Sequence, residues 1–353
     1  MKRIPVSASR SYDVLVGEGL FSRLGALARQ ALPGAEAAAL ISDDTVYARY
    51  GAQAEASLRE AGFRVVCFVF PHGEQSKTIA VYAQALNFLC RNHITRSDAV
   101  IALGGGVVGD LAGFTAASFQ RGVRFVQVPT TLLAMVDSSV GGKTAVDLEG
   151  GKNMAGAFWQ PSLVLCDPLV LKTLPAEQYR CGCAEIIKYG LMADEAFFER
   201  LLRTPVCEQY EDVIETCVQM KRDVVHADEF DRGERQKLNL GHTVGHAVEA
   251  CSGFTVLHGQ AVAIGMAVIA RAAAVRGICA QTVPERVAQI LKAYGLPDRA
   301  EAPAQALYEA ALSDKKMAGG TLRLIVPEAI GRCRIEPIPA SELLAWLRAG
   351  GVQ

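Results

Sequence analysis

Residues 99–110 read AVIALGGGVVGD. The apolar run 99–103 is too short for a helix and meets three glycines, so it predicts a buried strand entering a tight turn. Gly104-x-Gly106-x-x-Gly109 then satisfies the dinucleotide-binding fingerprint in the context it requires, directly after a strand. Glycine there lets backbone approach a pyrophosphate, with a helix N-terminus behind it. Asp110 follows at once and would cap that helix or reach a ribose hydroxyl. A tight glycine turn with no ligand would leave the same pattern.

Working outward, short apolar runs at 11–16, 37–41, 64–70, 124–128 and 163–166 read as further strands. Helical patterns at 20–32, 47–61 and 78–92 separate the earlier ones. Near-continuous apolar strands alternating with helices imply a parallel sheet covered on both faces. In such sheets ligands bind beyond the carboxyl ends of the strands. Those ends carry Asp43 and Asp44, Gly73 and Glu74, the glycines, and Thr130 with Thr131. Two features depart from the usual dinucleotide domain. The fingerprint does not sit on the first strand, and the strand after it (RFVQVP) ends without an acid. A dinucleotide on this edge would set its adenosine half near Asp43, Asp44 and Glu74.

Composition bounds the function. The chain has 353 residues, half of them apolar and 21% charged, with room for two domains. A net charge of −1 gives no field for nucleic acid or an anionic membrane, so any anion site must be a local cluster. No apolar run reaches membrane-spanning length, and the first residues lack a signal-peptide core. Ten cysteines scattered through apolar stretches read as buried thiols of a reducing cytoplasm, and Cys181-Gly182-Cys183 reads as structural.

Beyond residue 131 glycine, serine and lysine thicken. Ser138, Ser139, Gly141, Gly142, Lys143 and Thr144 look like a phosphate-cradling loop, although Asp137 breaks the Walker A spacing. Lys143 and Lys152 would supply cations for phosphate or carboxylate. From about residue 174 the pattern becomes mostly helical. Glu185 and Lys188 lie three apart in an apolar helix, and a buried Glu needs either that lysine or a metal. Arg235, Asn239, His242 and His246 recur every three or four residues and stripe one polar face. His258 opens a second helical run after Ser252-Gly253. Two short helices bringing imidazoles together make a zinc pocket, with Glu249 as a ligand or an orienting group. Thr243 stands where a zinc protease carries its general base, which excludes that chemistry. The Ala-rich helix 261–275 is apolar nearly all round, fit for a core or a dimer interface.

Seven segments together resemble the 3-dehydroquinate synthase family of sugar phosphate cyclases. They are HGEQSK (72–77), ALGGGVVGDLAGF (102–114), QVPTTLLAMVDSSVGGKTAVD (127–147), GKNMAGAF (151–158), CAEIIKYGL (183–191), KLNLGHTVGHAVE (237–249) and LHGQAVAIGM (257–266). The resemblance spans nearly the whole chain, and only Cys181-Gly182-Cys183 is unusual in it. It implies a zinc site, with cobalt possible, of Glu185, His242 and His258, and makes His246 a proton-relay group. It implies NAD⁺ contacts at Asp43 or Asp44, His72, Gly73, Glu74, Gln75, Ser76, Lys77, Gly105, Gly106, Val107, Val108, Gly109, Asp110, Thr130, Thr131, Lys143, Lys152 and Thr173. It gives Asp137, Lys188, Lys221, Arg235 and Asn239 catalytic work. Lys143, Lys152, Asn153 and one or both of Lys315 and Lys316 would hold the substrate.

The implied reaction explains why such different residues occur in one chain. The C5 hydroxyl of 3-deoxy-D-arabino-heptulosonate 7-phosphate is oxidised by NAD⁺, the neighbouring C6 hydrogen becomes acidic, and phosphate leaves. C5 is reduced again, the ring opens, and an aldol closure gives 3-dehydroquinate. The expected architecture is an α/β domain with a parallel Rossmann-like sheet over 1–173 and an all-α domain over 174–353, with the active site in the cleft between them. The expected protein is a cytoplasmic homodimer that binds a sugar acid phosphate and neither nucleic acid nor membrane. The rivals are a sister cyclase, a metal-dependent polyol dehydrogenase that would release NADH, and an inactive NAD-binding scaffold.

Overall fold

A computed structural model of the chain describes residues 1–314 and 320–353. Lys315 and Lys316 lie outside the described residues. The chain forms two compact units. The first is Met1–Pro175 with Tyr210–Phe230, and the second is Ala176–Gln209 with Asp231–Gln353. One cut near residue 173 therefore does not describe the division, because a helix from the middle of the second half belongs with the first unit.

The first unit holds a seven-stranded sheet. Its strands are β1 (Lys2–Val6), β2 (Tyr12–Val16), β3 (Ala37–Asp43), β4 (Arg64–Phe70), β5 (Ala99–Gly104), β6 (Arg124–Pro129) and β9 (Leu163–Cys166), in the order β1-β2-β9-β6-β5-β3-β4. Only β1 pairs antiparallel. The expected parallel sheet is there, and β5 is buried along its whole length, as a central strand between helical layers must be. Helices α1 (Leu24–Ala31), α2 (Asp44–Val46), α3 (Ala52–Glu60), α4 (Ile79–Arg91) and α5 (Gly106–Ser118) belong to this unit. One core packs Ile41, Val100, Leu89, Leu111 and Phe125 together. β1 escaped the sequence reading because it is a five-residue edge strand with Pro5 next to its last residue, and proline is tolerated at such edges.

The stretch read as a phosphate-cradling loop contains more order than that. A π-helical turn over Ala134–Ser138 and the left-handed Gly141 and Gly142 lead into β7 (Lys143–Leu148) and β8 (Gly151–Phe158), an antiparallel hairpin. The register slips between Val146 and Leu148, which hides the alternation that would have announced a strand.

The second unit contains α6 (Ala176–Ala193) and α7 (Glu195–Arg203). The chain then returns to the first unit as α8 (Tyr210–Ala227). Long-range polar contacts hold α8 there: Lys2 bridges Asp212 and Glu215, and the Lys221 ammonium binds the Asp137 carbonyl at 2.6 Å and its carboxylate.

Among the described residues the second unit also contains the helices α9 (His242–Cys251), α10 (His258–Val275), α11 (Thr282–Ala293), α12 (Ala304–Asp314) and α13 (Leu343–Ala349). To these helices the structure adds a hairpin, β10 (Thr321–Ala329) with β11 (Arg332–Pro339), whose Leu322, Leu324 and Val326 join the core of α10 and α13. α10 is long and apolar enough to cross a membrane, yet 72% of that span is buried inside the fold. It is therefore the core helix its composition suggests.

Candidate active site

In the second unit, three short elements bring donors to one point. Glu185 and Lys188 sit mid-way along α6, three residues apart and each 1% exposed. Glu185 divides its carboxylate. Oε2 lies 2.5 Å from the Lys188 ammonium, while Oε1 lies 3.7 Å from His242 Nε2 and 3.4 Å from His258 Nε2. Metal–ligand bonds of about 2.0–2.1 Å in a tetrahedron place ligand atoms about 3.3–3.4 Å apart, close to these separations. The three ligand atoms lie within 4.8 Å of one another.

The far nitrogens of both histidines are also engaged. His242 Nδ1 lies 3.1 Å from the Leu240 carbonyl, and His258 Nδ1 lies 3.4 Å from Glu249 Oε2. A ligand imidazole needs such an acceptor behind it to fix its tautomer and ring plane. Glu249 stands beside the His258 nitrogen that does not face Glu185. His246 joins Glu249 and His258 in a second grouping of donor atoms.

Electrostatics fit a cation. Burial, against the pull of Glu185, takes the His242 pKa down to about 3, which keeps it in the neutral, ligating form. For His258 burial also lowers the pKa, but hydrogen bonds to Glu185 and Glu249 raise it further, to about 9. A proton on His258 thus does the charge-balancing work between two carboxylates that a metal ion would take over. A carboxylate and two imidazoles are an ordinary donor set for zinc.

Arg235 and Asn239 do not continue the histidine stripe. They lie in a 3-10 turn (Glu234–Asn239), and Gly241, at φ +80°, breaks the chain before α9 begins at His242. Arg235 is 1% exposed. Gly241 also meets Gly265 of α10 so closely that a Cβ on Gly265 would lie 1.9 Å from the Gly241 carbonyl. Gly265→Ala must therefore push α10 from α9 and part His258 from His242. We expect a loss of about 1–3 kcal/mol, or more where backbone cannot yield. A lower zinc content per folded chain, by metal analysis, checks the accompanying shift.

The first unit gathers the other candidates around the glycine turn. Gly105 precedes α5, whose first residues are Gly106, Val107, Val108, Gly109 and Asp110. A Cβ on Gly105 would meet Thr131, and one on Gly106 would meet Ser138. The Thr130 hydroxyl beside this turn is buried and has no hydrogen-bond partner among the described residues. A helix N-terminus, small residues and an orphaned hydroxyl suit a pyrophosphate. Asp43 caps α2 by accepting from the Val46 N–H at 2.8 Å. Asp44 accepts from the His72 N–H at 3.1 Å and faces the His72 ring at 2.7 Å. Gly73, at φ +99°, leads into Glu74, Gln75 and Ser76, with Gln75 donating back to the His72 carbonyl. The Thr173 hydroxyl instead meets the Tyr50 hydroxyl at 2.6 Å.

Glu74, Lys77, Asp110, Lys152, Asn153 and Asp147 form one charged cluster. Asp147 was not singled out from sequence. Burial raises the Asp110 carboxyl to about 6, with Lys77 only partly countering. The folded chain holds that proton more tightly than the unfolded one, so ionisation removes stability between about pH 4 and pH 6 and keeps it removed above. Asp110→Asn should raise stability by about 1–3 kcal/mol near pH 7.5 and leave it unchanged near pH 4, read by thermal unfolding.

Comparison with known proteins bears on the chain as a whole. The family model described as 3-dehydroquinate synthase N-terminal matches residues 67–181, and the one described as 3-dehydroquinate synthase C-terminal matches residues 182–317. The 3-dehydroquinate synthase of Enterococcus faecalis is 42% identical over 100% of both chains. That of Paracoccus denitrificans is 44% identical over 96% of this chain and 97% of its own. Among solved structures, the 2-epi-5-epi-valiolone synthase of Streptomyces hygroscopicus subsp. jinggangensis 5008, with NAD⁺ and Zn²⁺ bound, has a TM-score of 0.88 at 28% identity and covers 99% of each chain.

Proposed function

The chain belongs to the 3-dehydroquinate synthase family, and from that premise we propose how its residues share the work of the reaction. It is a 3-dehydroquinate synthase, which converts 3-deoxy-D-arabino-heptulosonate 7-phosphate into 3-dehydroquinate and phosphate. It acts as a lyase that depends on NAD and a divalent metal. The observation that carries the division of labour is the convergence of Glu185, His242 and His258 beside the Lys188 ammonium.

The first unit binds NAD⁺ on the glycine turn, Thr130, Thr131 and the acids that end β3 and begin the Glu74 turn. The second holds zinc, with cobalt as the alternative, on Glu185, His242 and His258. When bound, NAD⁺ would supply hydride-acceptor chemistry and the metal Lewis-acid polarisation of neighbouring oxygens. Glu249 and the Leu240 carbonyl keep His258 and His242 in the ligating orientation. Lys188, beside Glu185, holds positive charge where a hydroxyl proton must depart, and His246 relays protons in the same unit. Arg235 offers a planar, permanently charged fork for an anion, and Asn239 a neutral donor. Lys143, Lys152 and Asn153 form the anion-binding end of the first unit, where Asp137 positions Lys221. We also take the enzyme to be a cytoplasmic homodimer, on the family resemblance.

A sister cyclase with another sugar phosphate is the nearest alternative, because the valiolone synthase shares the fold. The cations favour an acid substrate. Phosphate release should follow from the heptulosonate phosphate and not from glucose 6-phosphate, which lacks the carboxylate. Equal release from both would assign a different cyclase activity.

A further inference from the structure

Gly141 and Gly142 join the π-helical turn to β7. Both are buried and left-handed, at φ +92° and +71°. A buried turn outside any strand must find partners for its backbone groups elsewhere. The Gly141 N–H donates to the Tyr12 hydroxyl at 3.0 Å, a partner 129 residues away in the chain. The Gly142 carbonyl accepts from the Trp159 N–H at 2.7 Å. Gln160 lies against the same turn, since a Cβ on Gly142 would stand 2.8 Å from its amide carbon.

Tyr12 and Gln160 are themselves held. Tyr12 opens β2 and is 5% exposed, and Gln160 follows β8 and is 3% exposed. Gln160 Nε2 donates to Glu229 Oε1 at 2.8 Å. The Ser9 N–H and hydroxyl donate to the same carboxylate, at 2.8 Å and 2.6 Å. Glu229 lies just past α8, the helix that carries Lys221. The start of β2 directly, and the end of α8 through Gln160, thus bear on one two-glycine turn. Lys143 is the next residue and the first of β7, exposed where Thr144 is buried. No residue lies between the turn and this lysine, so a change of φ or ψ at Gly142 swings its whole side chain.

We propose that Tyr12 and Gln160 are positioning residues for Lys143. The Tyr12 hydroxyl holds the Gly141 N–H, the Gln160 amide backs Gly142, and together they aim the lysine at its anion. This deepens the proposed function, on which the anion-binding role of Lys143 rests.

Tyr12→Phe keeps the ring and removes one oxygen. In the full chain without substrate or cofactor, it should speed amide hydrogen exchange over residues 142–144 by about tenfold or more, while α6 and α9 exchange as in the parent. Gln160→Met, which cannot donate to Glu229, should move the same amides in the same direction. It reads the turn independently should Tyr12→Phe fail to fold. In turnover, Tyr12→Phe should raise the KM for the heptulosonate phosphate about tenfold at saturating NAD⁺, with kcat within about twofold of the parent. On a Lys143→Ala background the same change should alter KM by less than about twofold, because the side chain it aims is gone. A hydroxyl that only stabilised the fold would lower the melting temperature and leave KM alone in both backgrounds. Parent-like exchange over 142–144 in both variants, or an equal rise in KM with and without Lys143, would overturn the proposal. The exchange arm does not depend on the reaction. A parent chain without turnover would sink the proposed function, and exchange over 142–144 would then decide this proposal alone.

Discussion

His258→Ala yields a chain that folds but neither retains zinc nor releases phosphate. His258 is the first residue of α10, and the helix behind it is held by Ala261, Val262, Met266 and Ile269, all buried. The substitution therefore removes a donor without opening a core. Its Nε2 lies 3.4 Å from the Glu185 oxygen it shares the candidate metal with. Loss of an outer partner of a metal ligand typically costs 10–100-fold in affinity, so loss of the ligand itself should exceed about 100-fold. Glu249→Gln, which weakens only the support behind His258, should fall within that smaller range. A Lewis acid contributes several kcal/mol to the transition state, so kcat/KM should drop by about 10³-fold or more. Without metal, some loss of stability is also expected. The His258 pKa is raised from 6.5 to about 9, so its stabilising contribution is full below pH 6.5 and vanishes as pH rises through about 9. Metal analysis and thermal unfolding, taken together, separate the two effects. Parent levels of zinc and activity would remove His258 from the donor set.

Glu185→Gln has a larger effect on stability. Glu185 and Lys188 are each 1% exposed, and their charged atoms are 2.5 Å apart. Removing one charge of a buried pair costs about 3–5 kcal/mol, because the other stays in a poorly solvating interior. The Gln variant should melt well below the parent and carry no zinc. Replacing both charges removes that penalty, since a neutral pair of similar volume is often as stable as the ion pair. Glu185→Gln/Lys188→Met should recover most of the lost stability and none of the activity. A double variant as unstable as the single one would mean that Glu185 acts through contacts other than Lys188.

The parallel sheet was readable because its central strands are unbroken apolar runs, such as the AVIAL of β5, closed by turn residues. The edge and hairpin elements were not. Pro5 interrupts β1, the slip beside Asp147 masks β7, and the glycines at 151 and 156 make β8 look like loop. The return of α8 to the first unit rests on contacts such as Lys2 with Asp212, 210 residues apart, which no local pattern records. In the candidate site, spacing favoured His242 and His246 as a pair on one helix. It could not show that the Glu185 carboxylate faces His242 and His258, because that depends on how α10 approaches α6. The carbonyl of Leu240 behind His242 has no sequence signature at all.

The most direct test of the account follows phosphate and NADH together, with zinc-loaded enzyme and the heptulosonate phosphate in large excess over NAD⁺. The account predicts many phosphates released per NAD⁺, a requirement for NAD⁺ to be present, and no lasting rise at the NADH absorbance band. NADH accumulating in step with substrate loss, without phosphate release, would contradict it and assign a dehydrogenase instead.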